Sequence, residues 1–211
     1  MTNALYCAFL NAGGSDDHWH NEMSGEIARA GSAAPYSYTV AGGFAQRPVH
    51  WATWFDATDF CAWRSTAEGL PAGAYRLPTE AEWEKAAGWG DPARTSLWTY
   101  AFQSDSIDAT RANYDRNVNT TTEVGSYAAW KSWYGCYDMS GNVWEWCSDW
   151  YGGTYPSSPS NPTGPTTGAS RVMRGGSYFD DATPCRVDFR FANTPSGVGW
   201  FSGFRSARTA P

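Results

Sequence analysis

Charge is scarce in this sequence: Asp, Glu, Lys and Arg make up 17% of its 211 residues, no more than Phe, Trp and Tyr together. There is no run of Lys or Arg and the net charge is −6, so nucleic acid is excluded as a partner, because phosphate binding needs clustered cations that release counterions. No apolar stretch approaches the roughly eighteen residues of a membrane span, which excludes membrane insertion. No basic-then-apolar pattern opens the chain, so it reads as soluble, without a signal peptide and with no compartment indicated. The five cysteines, Cys7, Cys61, Cys136, Cys147 and Cys185, lack any CxxC spacing, which removes zinc knuckles and redox dithiols; their odd number leaves a thiol unpaired. No internal repeat is present, and the length fits one domain over residues 1–211.

Aromatics and glycine take the place of charge. Thirteen Trp make either a crowded core or stacking surfaces, and their positions must decide between the two. Leu5, Ala8, Phe9 and Ala12 recur at helical spacing behind a Thr2 cap, up to the break at Gly13 and Gly14. Residues 36–40 alternate as a strand. Asp16, Asp17, His18 and His20 read as a solvated loop rather than a metal site. A helix is predicted over 53–63, with Trp54, Ala57, Phe60, Cys61 and Trp63 as its buried stripe. Thr79 and Glu82 stand in capping-box spacing, which starts another helix at Glu80 and turns Trp83, Ala86 and Ala87 inward. Glu80, Glu82 and Glu84 read as first-turn acids that complement the helix dipole rather than as catalysts. Beyond residue 88 no helical period persists, which predicts irregular loops over a small sheet. The Pro-, Ser- and Thr-rich stretch 154–170 is one such loop, because too little chain follows it for a second domain.

Four segments resemble the formylglycine-generating enzyme (sulfatase-modifying factor) family. They are Arg76-Leu-Pro-Thr-Glu-Ala-Glu-Trp-Glu, Gly141-Asn-Val-Trp-Glu-Trp, Arg174-Gly-Gly-Ser-Tyr and Gly203-Phe-Arg. Two earlier pieces, Thr2-Asn-Ala-Leu-Tyr and Arg47-Pro-Val-His-Trp-Ala-Thr-Trp-Phe, extend the likeness over essentially the whole chain. The resemblance implies an α+β, C-type-lectin-like fold, with two helices packed on small twisted antiparallel sheets and long irregular loops. It also implies a strand segment ahead of the first helix, which this sequence lacks.

By the same resemblance a structural calcium ion is expected, held by the side chains of Asp138 and Glu145 and by the carbonyls of Gly141 and Val143. Two carboxylates and turn-permissive residues within one short stretch suit a hard cation that takes several oxygen donors. A second family site near Asn113 is not expected, because the segment after it is shortened. The family's oxidase chemistry uses copper held by two cysteines five residues apart. Here Cys185 stands at the second position and Asp180, a hard carboxylate, at the first. A copper-dependent oxidase acting on the cysteine of sulfatases, with Cys185 as its catalytic residue, is therefore the alternative reading.

Cys185-Arg186, Arg190, Pro195 and Gly203-Phe-Arg205 also have the spacing of variable proteins of diversity-generating retroelements, which marks 173–205 as a display segment. The positions implied to face a ligand are Phe179, Asp180, Asp181, Thr183, Val187, Asp188, Phe189, Phe191, Thr194, Gly199, Trp200 and Phe201. Arg174, Arg186, Arg190 and Arg205 are expected to brace the loops through carbonyls or through Asp180, Asp181 and Asp188. The competing reading puts Phe189, Phe191 and Phe204 in the core. The expectation is a non-catalytic binding protein for a protein or surface-displayed ligand. A carbohydrate-binding, lectin-like module is a further alternative, disfavoured because calcium closed in by Asp138 and Glu145 leaves little room for sugar hydroxyls.

Overall fold

The computed structural model describes residues 1–13, 16–93, 95–155 and 162–209. Helix α1 spans Asn3–Asn11 behind Thr2, whose hydroxyl accepts from the Leu5 amide at 3.4 Å. Its buried face is Asn3, Tyr6, Cys7, Phe9 and Leu10. Of the predicted stripe Phe9 is buried, whereas Leu5 is 40% exposed and Ala8 and Ala12 face outward. The helix is turned because Tyr6 and Phe9 pack on Phe60, with ring centroids 6.1 and 5.7 Å apart. Asn3 also donates to Glu26 and to the Phe44 carbonyl.

Helix α2, Trp54–Ala67, runs past the predicted end and buries Ala57, Phe60 and Cys61, with Trp54 and Trp63 half-buried beside them. Its capping box joins Thr53 and Asp56. Asp56 corrects the reading of a solvated histidine loop: it lies 3.0 Å from His18 Nδ1 and 2.8 Å from His20 Nε2, and both rings are largely covered. Helix α3, Glu80–Gly88, starts at the predicted Thr79–Glu82 capping box and buries Trp83.

Strands β1 (Ile27–Ala30) and β2 (Ser37–Val40) form a hairpin, and β3 (Tyr75–Arg76) pairs with β8 (Ala207–Arg208). The main sheet has the order β6-β5-β4-β7, from Phe191–Asn193, Arg171–Arg174, Trp144–Trp150 and Ser202–Gly203. Its β4–β7 pair is parallel, an exception to the expected antiparallel pattern. Gly203 permits that pairing, since a Cβ there would lie 2.7 Å from the Val49 carbonyl oxygen.

Side chains alternate across the sheet. Trp144 and Trp146 therefore join the core made by α1 and α2, while Cys147 and Val172 join Trp83, Ala87 and Val187 in a second core. A third cluster gathers Tyr100, Phe102, Ala112 and Cys185. Of the loop 154–170, residues 156–161 lie outside the described residues. No helix among the described residues is long and apolar enough to cross a membrane.

Candidate functional site

At the edge of the core formed by α1 and α2, on the sheet face that carries Trp144, the aromatic side chains of 173–205 meet one after another. Phe179 and Trp200 have ring centroids 4.5 Å apart, Trp200 and Phe201 5.3 Å, and Phe201 and Phe191 6.1 Å. Phe191 continues onto Trp144 at 5.0 Å, and Phe189 also packs against that indole at 6.1 Å. Trp144 is buried and serves as the floor, whereas Phe179 and Phe191 are 40% and 37% exposed. Edge-on aromatic clusters of this kind offer large, rigid contact area with little side-chain entropy to lose.

Two loops from outside the segment clamp it. Trp51 N donates to the Gly199 carbonyl at 3.2 Å, and His50 Nδ1 donates to the Trp200 carbonyl at 2.7 Å. On the other flank the amides of Asp115 and Arg116 donate to the carbonyls of Asp180 and Tyr178, both at 2.7 Å. Trp51, Asp115 and Arg116 all have positive φ, the left-handed region that costs about 1–2 kcal/mol per residue. Sequence spacing could not reveal these clamps, because they join residues far apart in the chain.

The twelve positions divide. Phe179, Asp181, Thr183, Asp188, Phe191 and Thr194 are exposed, and Phe189, Trp200 and Phe201 are partly so. Val187 is wholly buried in the second core, and Gly199 is buried under the clamp of Trp51. Asp180 is an internal brace: its Oδ2 accepts from the Ser177 amide at 2.9 Å and from the Trp144 indole at 2.9 Å. Asp188 is held by Arg186 at 2.9 and 2.8 Å. Phe191 lies at the surface and Phe204 in the core, so each competing reading of the phenylalanines holds for part of the set.

The arginines brace the segment as expected, Arg174, Arg190 and Arg205 through carbonyls and Arg186 through Asp188, and three of them add glutamate partners the sequence did not indicate. Arg190 grips both oxygens of buried Glu80 at 2.7 and 2.8 Å, and Arg174, wholly buried, pairs with Glu84 and donates to the Phe189 carbonyl at 2.7 Å. Glu80 and Glu84 are therefore ion-pair partners inside the protein, not simply dipole-facing acids. Burial pushes the Glu84 carboxyl above its ordinary value despite Arg174.

The copper ligands do not fit. Cys185 has no exposed surface, and burial, followed by the charges of Asp180, Asp181 and Asp115, drives its thiol well above the ordinary range. A soft-metal site needs the thiolate. The carboxylate at the other position is already committed to Ser177 and Trp144.

The calcium set does not fit either. Both Glu145 oxygens lie 2.6 Å from Arg205, and Oε2 also accepts from the Trp83 indole at 2.7 Å. A divalent ion on that carboxylate would sit against a guanidinium. Asp138 accepts from the Gly125 amide at 2.7 Å, and burial raises its carboxyl above the usual range. Asp138, Val143 and Glu145 line one cleft of about 650 Å³ that they share with Arg205. Among the described residues no group of three or more His, Cys, Asp or Glu is placed to hold a metal ion.

The sulfatase-modifying factor enzyme 1-like domain matches residues 1–210. The formylglycine-generating enzyme of Streptomyces coelicolor is 34% identical, over 100% of this chain and 76% of that protein. Serine/threonine-protein kinase pkn1 of Chlamydia pneumoniae is 35% identical over 99% of this chain, which spans 32% of that protein's length. Among solved structures, Treponema denticola variable protein 1 superposes with a TM-score of 0.66 at 28% identity, covering 81% of this chain and 75% of that one. The chain therefore belongs to the sulfatase-modifying factor enzyme 1-like, or formylglycine-generating enzyme, family, with its α+β, C-type-lectin-like fold.

Proposed function

We propose that the protein is a non-catalytic binding protein that presents the aromatic face of 173–205 to a protein or surface-displayed ligand. The observation that carries this reading is the contiguous, outward cluster of Phe179, Trp200, Phe201 and Phe191 on a Trp144 floor. The similarity to a variable protein supports a segment whose exposed positions are exchanged by a retroelement while the arginines and the clamps stay fixed. Val187, Gly199 and Asp180 have internal roles, so exchange is expected to spare them. Sequencing the segment from many cells tests this: changes should gather at Phe179, Asp181, Phe191, Trp200 and Phe201, and an invariant segment would remove the diversification.

The second reading, oxidation of a substrate cysteine, is favoured only by the likeness to named formylglycine-generating enzymes. Incubating the protein with copper and a Cys-x-Pro-x-Arg peptide, followed by mass spectrometry, decides between them. The thiol is expected to survive unchanged, and an aldehyde product would overturn the binding-protein reading.

A further inference from the structure

We propose that Arg116, which lies outside 173–205, is the fixed cation of the recognition face, and that the partner it fits is an acidic peptide segment presenting a carboxylate beside an apolar side chain. This rests on the reading of the aromatic face as the ligand surface.

The Arg116 guanidinium lies 3.5 Å from the centre of the Phe179 ring, at one end of the aromatic cluster. Other arginines are committed inside the molecule. Arg29, Arg76, Arg186, Arg190 and Arg205 hold carboxylates, and Arg171 donates to the Ser148 carbonyl. Arg116 is exposed, and its guanidinium has no hydrogen bond or ion pair among the described residues. Stacking on a ring uses the face of the guanidinium and leaves its edge donors free for a bidentate carboxylate.

The backbone points the same way. Asp115 and Arg116 have φ of 47° and 56°, a turn that glycine would make without strain. Strained residues persist where the surrounding structure over-determines them, and they gather at ligand sites. Here the carbonyls of Asp180 and Tyr178 fix both amides, so the turn keeps Arg116 beside position 179 of the display segment, where Phe179 carries its guanidinium in this sequence.

The surrounding charge narrows the partner. Asp115 and Asp181 are exposed nearby, and the Asp181 carboxylate also accepts from the Thr183 amide at 2.8 Å. A dense polyanion would be repelled by these acids and by the net charge of −6. A single carboxylate flanked by apolar groups can pair with Arg116 while its neighbours rest on Phe179 and Trp200.

The test is selection of a random peptide library displayed on phage against the wild-type protein, followed by binding of the winners to variants whose folding is verified by thermal melting. The selected peptides are expected to be enriched in Asp or Glu next to aliphatic or aromatic residues. They should bind R116Q about tenfold more weakly, with part of the affinity restored in R116K. Winners without acidic enrichment, or winners bound equally by R116Q, would overturn the assignment of Arg116. If such peptides still lost binding in W200A, the aromatic-face reading would stand without Arg116. Peptides insensitive to both W200A and F191A would overturn the face itself.

Discussion

On its inner side the segment 173–205 is fastened by ionic pairs, Arg174 to Glu84, Arg190 to Glu80 and Arg205 to Glu145, whereas on its outer side the aromatic rings touch mainly one another. Arg174 and the three glutamates are buried or nearly so, and Arg190 and Arg205 are largely covered, so each charge depends on its partner; removing one leaves the other uncompensated in a poor solvent for ions. The outer rings rest on a floor supplied by β4 and can change without stranding any buried polar group. Rigidity and exchangeability are thus separated by side of the segment rather than by position along it.

The largest effect should come from the inner side. Glu80→Ala strands Arg190 and removes the carboxylate 3.5 Å from Arg174; a loss of about 3–5 kcal/mol is expected in denaturant melts. A loss below about 1 kcal/mol would mean that the ionic side does not carry the segment.

Val187→Asn and Phe191→Asn sharpen the contrast between two residues read alike in the sequence. Val187 is fully buried, and burying an amide there is expected to cost about 3 kcal/mol. At exposed Phe191 the same change should stay within about 1 kcal/mol while abolishing ligand binding. Equal costs would erase the distinction.

A smaller effect is expected with pH, away from the segment. Hydrogen bonding to Asp56, against burial, raises the His18 imidazole above its ordinary value. That stabilisation is complete below the unfolded value of about 6.5 and is lost as pH rises through the higher folded value. Burial pushes the Asp56 carboxyl up, but the bonds from His18, His20 and Thr53 outweigh it and hold it low, so its contribution is lost only as pH falls through that lowered value. The melting temperature of the wild type should therefore fall between pH 6 and 8.5 more than that of H18Q, and parallel curves would remove His18 from the account.

The smallest effect is expected from chelation. With Glu145 paired to Arg205, EDTA should shift the melting temperature by no more than about 1 °C. A clear fall would show that this pair opens to admit a cation.

Local signals in the sequence were reliable where the physics is local. The Thr79–Glu82 capping box, the α2 stripe of Ala57, Phe60 and Cys61, and the strand at 36–40 depend on neighbours within a turn or two, and the structure has each of them. The α1 stripe failed at Leu5, Ala8 and Ala12 because contacts with Phe60, Glu26 and Phe44 set its rotation. Asp180 was legible as a break in the cysteine pair, but its new task was not, since the Trp144 indole it accepts from lies 36 residues away.

By itself, then, the sequence determined the family, the fold class, the helix starts and the replacement of the first cysteine of the family's pair by Asp180, because these rest on motifs and short-range periodicity. Only the tertiary structure decided which of the twelve tail positions reach the surface, that Glu145 serves Arg205, and that Arg116 stands beside Phe179. Each of these is a long-range contact, fixed by how the sheet and loops close on one another.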